Sequence, residues 1–243
     1  MAIIWTYWTG PKSKIYKECQ MSWRTHIKKH KINVVTPTNF YKWNIKIPST
    51  FHKLQPALQS DIVRLNLLYM YGGIWMDATI MLLRDLEWLT DYTRLNGQKD
   101  SYFALQAYDA EFIENWMISV KRPLNPHILT LRNLLIDTME YYPEFTKSPP
   151  YQGKKYTKND SYFVMYQCYC YLSKQDGFKK ANILPNSVQC AFFPAELHIF
   201  DPRYFIKYTT NCRKYHNICQ IGIYISYTII FYFLMRKLAR VIS

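Results

Sequence analysis

Ser60-Asp61-Ile62-Val63-Arg64-Leu65-Asn66-Leu67-Leu68-Tyr69-Met70-Tyr71-Gly72-Gly73-Ile74-Trp75-Met76-Asp77-Ala78-Thr79 reads as a helix, a turn and a strand. Pro56, with its preset φ, opens the helix, and Gly72-Gly73 stops it after Tyr71. Asp61 and Arg64 lie three residues apart and emerge on one helix face, while Ile62, Leu65 and Tyr69 make the opposite face apolar. Beyond the glycines, Ile74 to Leu83 reads as one strand. Trp75, Asp77 and Thr79 share one side of it, and Ile74, Met76, Ala78 and Ile80 share the other. A carboxylate in so apolar a strand is costly unless it is paired or binds a ligand. Open parallel sheets collect ligands at the carboxyl ends of their strands, which makes Asp77 a candidate ligand contact. Taken singly, Asp61–Arg64 would be an exposed helix salt bridge and Asp77 a backbone cap. Gathered in one unit, the three point to a binding site.

The flanking sequence supplies an α/β frame. Ile3 to Trp8 is a β-branched and aromatic run closed by Gly10-Pro11, a buried first strand. Ser13 to Lys29 places Ile15, Cys19, Trp23 and Ile27 at near-helical spacing among basic residues, and Lys31 to Val35 reads as a second strand. Strand, helix, strand at this length opens a parallel sheet. Farther on, Tyr102 to Ala107 reads as a strand, and Glu111 to Val120 and Ile128 to Tyr141 as helices. Ser148 to Asn159 reads as a loop, Asp160 to Leu172 as an aromatic-rich helix, and Asn182 to Ile199 as one or two short strands. No linker divides residues 1–212, which read as one catalytic-sized domain.

The 243 residues are 49% hydrophobic and 17% aromatic, which excludes a disordered chain. A formal charge of +14 draws the protein toward anionic partners, either a phosphorylated substrate or a membrane surface, or else reflects a solvated lysine-rich surface. No nucleic-acid-binding module accompanies the charge, so nucleic acid is not expected as a partner. The six cysteines form no Cys-x-x-Cys pair, and the amino end has no basic segment followed by a signal helix. Reduced thiols and a cytoplasmic location are expected. Residues 213–243 differ in character: Ile218 to Met235 is nearly continuous apolar sequence between basic flanks. As a helix it would reach about 27 Å, and it reads as an interfacial helix, a span or a core element. Membrane association through residues 218–235 is the expectation.

Ser60-Asp61-x-x-Arg64 followed by Gly72-Gly73-Ile74-Trp75-Met76-Asp77-Ala78-Thr79 resembles the donor-binding core of family 32 glycosyltransferases, in particular their capsular polysaccharide synthesis branch. Ile3-Ile4-Trp5-Thr6-Tyr7-Trp8 and Cys19-x-x-x-Trp23 resemble that family's first strand and helix, and the close likeness covers roughly residues 1 to 90. The resemblance implies a GT-A fold, an α/β nucleotide-sugar-binding architecture, here followed by the C-terminal hydrophobic helix. It implies that Trp5 stacks on the nucleotide base, and that Asp61 and Arg64 hold the donor's sugar hydroxyls and pyrophosphate. Asp77 matches the first acid of the family's Asp-x-Asp motif, a contact to ribose, sugar and metal. Thr79 stands where the second acid, the usual metal ligand, would be, as it often does in the capsular branch. A hydroxyl is a much poorer Mg²⁺ or Mn²⁺ ligand than a carboxylate, so the resemblance leaves the divalent cation in doubt.

The implied reaction is hexose transfer from a UDP- or GDP-sugar to a hydroxyl of a saccharide, lipid-linked or free. Asp77 and Arg64 are the expected catalytic groups. Should the reaction invert the anomeric centre, Asp160 or Glu196 would be the base, although Asp160 also suits a helix N-cap. His198 would be a late metal ligand or an ordinary core or surface histidine. The rival reading is a non-catalytic membrane-surface protein that binds saccharide or nucleotide sugar in a degenerate site, and Thr79 is what keeps it open.

Overall fold

A computed structural model describes residues 1–87, 89–90, 100–106, 113–141, 163–178, 180–184, 190–192 and 205–207. Among them the order is β1 (Ile3–Tyr7), α1 (Lys14–His26), β2 (Lys31–Val35), α2 (Pro56–Tyr71), β3 (Gly73–Met76), β4 (Ile80–Leu82), β5 (Tyr102–Gln106), β6 (Ile113–Val120), α3 (Pro126–Glu140), α4 (Val164–Leu172), β7 (Asn182–Leu184), β8 (Cys190–Phe192) and β9 (Phe205–Lys207). Short 3-10 turns at Phe40–Trp43 and Phe51–Lys53 lie between β2 and α2. The loop expected at 148–159, the start of the helix expected from Asp160, and the tail 213–243 lie outside the described residues. Among the described residues no helix is long and apolar enough to cross a membrane.

The chain groups into two units. The first comprises Met1–Pro11, Thr25–Ala78 and Asp85–Asn186; the second takes in Lys12–Arg24, Thr79–Arg84 and the strands beyond Ser187. The first unit is built on a mixed six-stranded sheet of order β2-β1-β3-β6-β5-β7. β1 pairs in parallel with β2 and β3, as the strand-helix-strand pattern predicts. β6 then runs antiparallel between β3 and β5, and β7 returns parallel to β5. Helix α2 is buried at every position from Asp61 to Leu68. Ile62, Val63, Leu65, Leu67 and Leu68 join Trp5, Trp75, Ile118 and the α3 residues Leu131 and Leu135 in one core. Each such side chain contributes roughly 1.5–3 kcal/mol of apolar burial. Asn66, polar inside this helix, is satisfied locally: its Oδ1 accepts from Lys46 N and its Nδ2 donates to the Lys46 and Ile62 carbonyls.

In the second unit α1 packs by its sequence-predicted stripe. Cys19 and Trp23 are fully buried, Trp23 Nε1 donates to Ile80 O at 2.6 Å, and Ser22 Oγ accepts from Leu82 N at 3.0 Å. β4 belongs here, in a three-stranded sheet of order β4-β9-β8.

Two sequence expectations are corrected. Ile74 to Leu83 is not one strand: β3 ends at Met76, Asp77 N still donates in register to Trp116 O at 3.0 Å, and after Ala78-Thr79 the chain enters the other sheet as β4. Within residues 111–120 the described part, Ile113–Val120, is a strand rather than a helix. Its β-branched and aromatic residues are paired on both sides, and that tertiary pairing overrides a local helical reading.

The glycine pair is required by geometry. Gly72 at φ +63 ends α2 through Gly72 N to Leu68 O, at 3.0 Å. Gly73 has φ +94, and a Cβ there would stand 2.3 Å from Ile3 O. The close approach of β1 and β3 therefore depends on a residue with no side chain.

Candidate active site

Helix α2 and the exit of β3 place three charges together. Arg64 Nη1 donates to Asp61 Oδ1 at 2.5 Å, and Arg64 Nη2 donates to Asp77 Oδ1 at 2.9 Å. Arg64 is 2% exposed and Asp61 3%, so the pair is not the surface salt bridge that the spacing alone allows. Asp77 is the open member, with 26% of its side chain exposed. Trp75, two residues back on the same strand face, donates Nε1 to Asp77 Oδ1 at 3.0 Å and lies beneath the guanidinium, 4.8 Å from Cζ to the ring centroid. Arg64 Nε is buried without a hydrogen-bond partner, and Met165 Sδ lies 3.5 Å from Nη1. Two carboxylates share one guanidinium, so removing the arginine would leave buried charge uncompensated.

Strand β6 brings a second set of groups. The β5–β6 ladder runs from Ala104↔Ile118 to Leu105↔Glu114, so Asn115, Trp116 and Met117 bulge out of it. From this bulge Asn115 Nδ2 donates to Asp61 Oδ1 at 3.1 Å, and Trp116 Nε1 donates to Glu114 Oε2 at 2.7 Å. Tyr166 of α4 places its hydroxyl 3.1 Å from both Glu114 Oε2 and Asn115 Oδ1. Burial, then the nearby Glu114 and Asp61 carboxylates, hold the Tyr166 phenol well above its usual range, so it is a neutral donor at physiological pH. Tyr7, at the end of β1, is pushed up to about 12 by burial and donates to Gln59 Oε1 at 3.0 Å.

Of the residues singled out in the sequence, the structure brings Asp61, Arg64 and Asp77 into one cluster. Trp5 is 1% exposed: it donates Nε1 to Gly72 O at 2.9 Å and packs on Trp43 and Tyr71 at 4.9 and 5.4 Å. Thr79 is buried and opens the segment Thr79–Arg84 of the second unit. Asp160, Glu196 and His198 lie outside the described residues. Glu114 and Asn115 were not anticipated, and Tyr166 stood only in the helix's aromatic stripe with Tyr162, Phe163, Tyr169 and Tyr171, which suits a sugar groove or core packing. The available signal was a polar pair, Glu114-Asn115, heading an apolar run from Trp116 to Val120, the same pattern that singled out Asp77 on β3.

A divalent cation does not fit the described residues. Among them no group of three or more His, Cys, Asp or Glu side chains is placed to hold a metal. Asp77 Oδ1 already faces two donors, one of them cationic.

A fold with this helix-turn-strand unit and a carboxylate pair locked to one arginine defines a mixed α/β protein with a polar site at the carboxyl end of its third strand. Residues 1–157 match the family described as "Capsular polysaccharide synthesis protein", and the chain belongs to that family. No curated protein matches it. Among solved structures, "PaToxG Glycosyltransferase" aligns at a TM-score of 0.46 and 16% identity, over 70% of this chain and 67% of that one.

Proposed function

We propose that this protein is a glycosyltransferase of GT-A type that moves a hexose from a UDP- or GDP-sugar to a saccharide hydroxyl in polysaccharide synthesis. The observation that carries the reading is the buried Asp61–Arg64–Asp77 cluster at the carboxyl end of β3. Membership of the capsular polysaccharide synthesis family supports it. In this reading Asp61 and the exposed edge of Asp77 accept sugar hydroxyls, and Arg64 fixes both carboxylates so that their lone pairs are aimed before the donor arrives. Departure of the nucleoside diphosphate needs positive charge. Arg64 is committed to two carboxylates, so the lysine-rich surface is the chain's own source of it. A lipid-linked acceptor, met at a membrane through residues 218–235, would account for the apolar tail.

The second reading, a saccharide-binding protein without turnover, is favoured by one feature, Thr79 in place of the second acid. The test separates them. Purified full-length protein is incubated with a panel of nucleotide sugars, with and without Mn²⁺ or Mg²⁺, and released nucleoside diphosphate is measured. Release from one donor, reduced by about 100-fold or more in Asp77→Asn, is expected. Donor binding without release from any sugar, with acceptor saccharides supplied, would favour the non-catalytic reading.

A further inference from the structure

Asp61 is held from two sides, and the second side belongs to elements that the motif does not include. An ionised carboxylate only accepts hydrogen bonds, so the Asn115 edge that meets Asp61 Oδ1 at 3.1 Å is its NH₂ edge. The carbonyl edge of the same amide is thereby turned to Tyr166, whose hydroxyl is 3.1 Å from Asn115 Oδ1. Tyr166 Oη is equally near Glu114 Oε2, which also takes the Trp116 indole N–H at 2.7 Å, so the hydroxyl lies between two acceptors. Asn115 Oδ1 has the Tyr166 hydroxyl as its donor among the described residues. Turning the amide over would set its oxygen against Asp61 and its NH₂ against the phenol. Asp61, which can only accept, excludes that orientation, and the Tyr166 hydroxyl lies within donating distance of the carbonyl edge so presented.

Resting on the reading that Asp61 binds the donor's sugar, we infer that Tyr166 and Asn115 are positioning residues that set the direction of the Asp61 carboxylate. With Oδ1 held by Arg64 Nη1 and Asn115 Nδ2, the direction of Oδ2 is fixed as well. Helix α4, which carries Tyr166 and also places Met165 against Arg64, thereby governs affinity for the sugar portion of the donor without touching it. The diphosphate and base portions do not depend on this line of hydrogen bonds. A role in folding alone would weaken both portions together.

The experiment is calorimetric titration of full-length wild type, Tyr166→Phe and Asn115→Asp. The ligands are UDP-glucose, UDP-galactose and GDP-mannose, and free UDP and GDP. Tyr166→Phe keeps the ring and removes the donor, and is expected to weaken nucleotide-sugar binding about 5-fold, the worth of one neutral hydrogen bond. Asn115→Asp keeps the shape and turns a donor into a like charge beside Asp61, with an expected loss of about 30-fold or more. Free UDP or GDP affinity should stay within about 2-fold of wild type in both. Equal losses for sugar and free diphosphate, or no loss in Tyr166→Phe, would overturn the inference while leaving the donor site standing. Wild type that binds none of the five ligands would overturn the donor-site reading and this inference with it. If Asn115→Asp does not fold, Tyr166→Phe decides alone.

Discussion

The amino end of β3 is held by backbone, and its carboxyl end by charge. At the first, Gly72 and Gly73 take positive φ, Trp5 Nε1 closes on Gly72 O, and β1 comes so near that a Cβ on Gly73 would meet Ile3 O at 2.3 Å. At the second, four residues later, the Asp77 side chain is fastened through Arg64 Nη2 and Trp75 Nε1. The first arrangement tolerates almost no change in shape but carries no net charge. The second depends on the balance of one cation and two carboxylates. A strand anchored rigidly at one end can present a carboxylate at the other without spending its own flexibility, which is the demand a preorganised binding group makes.

The sharpest way to break this comparison is Arg64→Met, which preserves volume and removes the shared cation. Two carboxylates, one of them 3% exposed, would then face each other without compensation. The expected loss of unfolding free energy at pH 7 is about 3–5 kcal/mol, read from urea denaturation, with loss of donor turnover. A loss under about 1 kcal/mol would mean that the carboxyl end is not held by charge. Asp61→Asn in the same background should recover part of the deficit, because it removes one of the stranded charges.

At the amino end, Gly73→Ala tests shape alone. It forces a Cβ into the Ile3 carbonyl and into φ +94, and about 3 kcal/mol of destabilisation is expected. Any folded Gly73→Ala protein should keep its nucleotide-sugar affinity, since the Asp61–Arg64–Asp77 hydrogen bonds are made by side chains beyond the clash. Weakened binding in well-folded protein would show that the two ends are coupled, and the comparison would need to be redrawn.

How much of this could be read from the chain follows the same division. α2, the glycine stop, β1, β2 and their parallel pairing are written in local pattern, because each element's own residues dictate its period and its ends. The Asp61–Arg64–Asp77 cluster was legible for a related reason: all three lie within one helix-turn-strand unit whose geometry is local. What the sequence hid is long-range. Ile113–Val120 became a strand because β3 and β5 flank it, and its bulge aims Asn115 at Asp61, fifty-four positions away. The break after Met76 was hidden likewise, since the period-2 alternation runs straight on to Ile80 while β3 and β4 belong to different sheets. Trp5 shows the converse limit. An aromatic residue in the first strand suits a base platform and a core anchor equally well, and only the partners of its indole N–H distinguish them.

Trp5→Phe therefore separates those two uses with the smallest perturbation of the series. Phenylalanine keeps most of the contact with Trp43 and Tyr71 but leaves Gly72 O without its indole donor, a buried acceptor unpaired. About 1–2 kcal/mol of stability should be lost, from the hydrogen bond and the smaller ring together. Because the Trp5 ring is 1% exposed, UDP or GDP affinity should be unchanged in the folded variant. A drop in nucleotide affinity of 10-fold or more, about 1.4 kcal/mol, without a matching loss of stability would instead put the ring against the base. That result would require the amino end of β3 to open when donor binds. The rigid half of the comparison would then become the moving one.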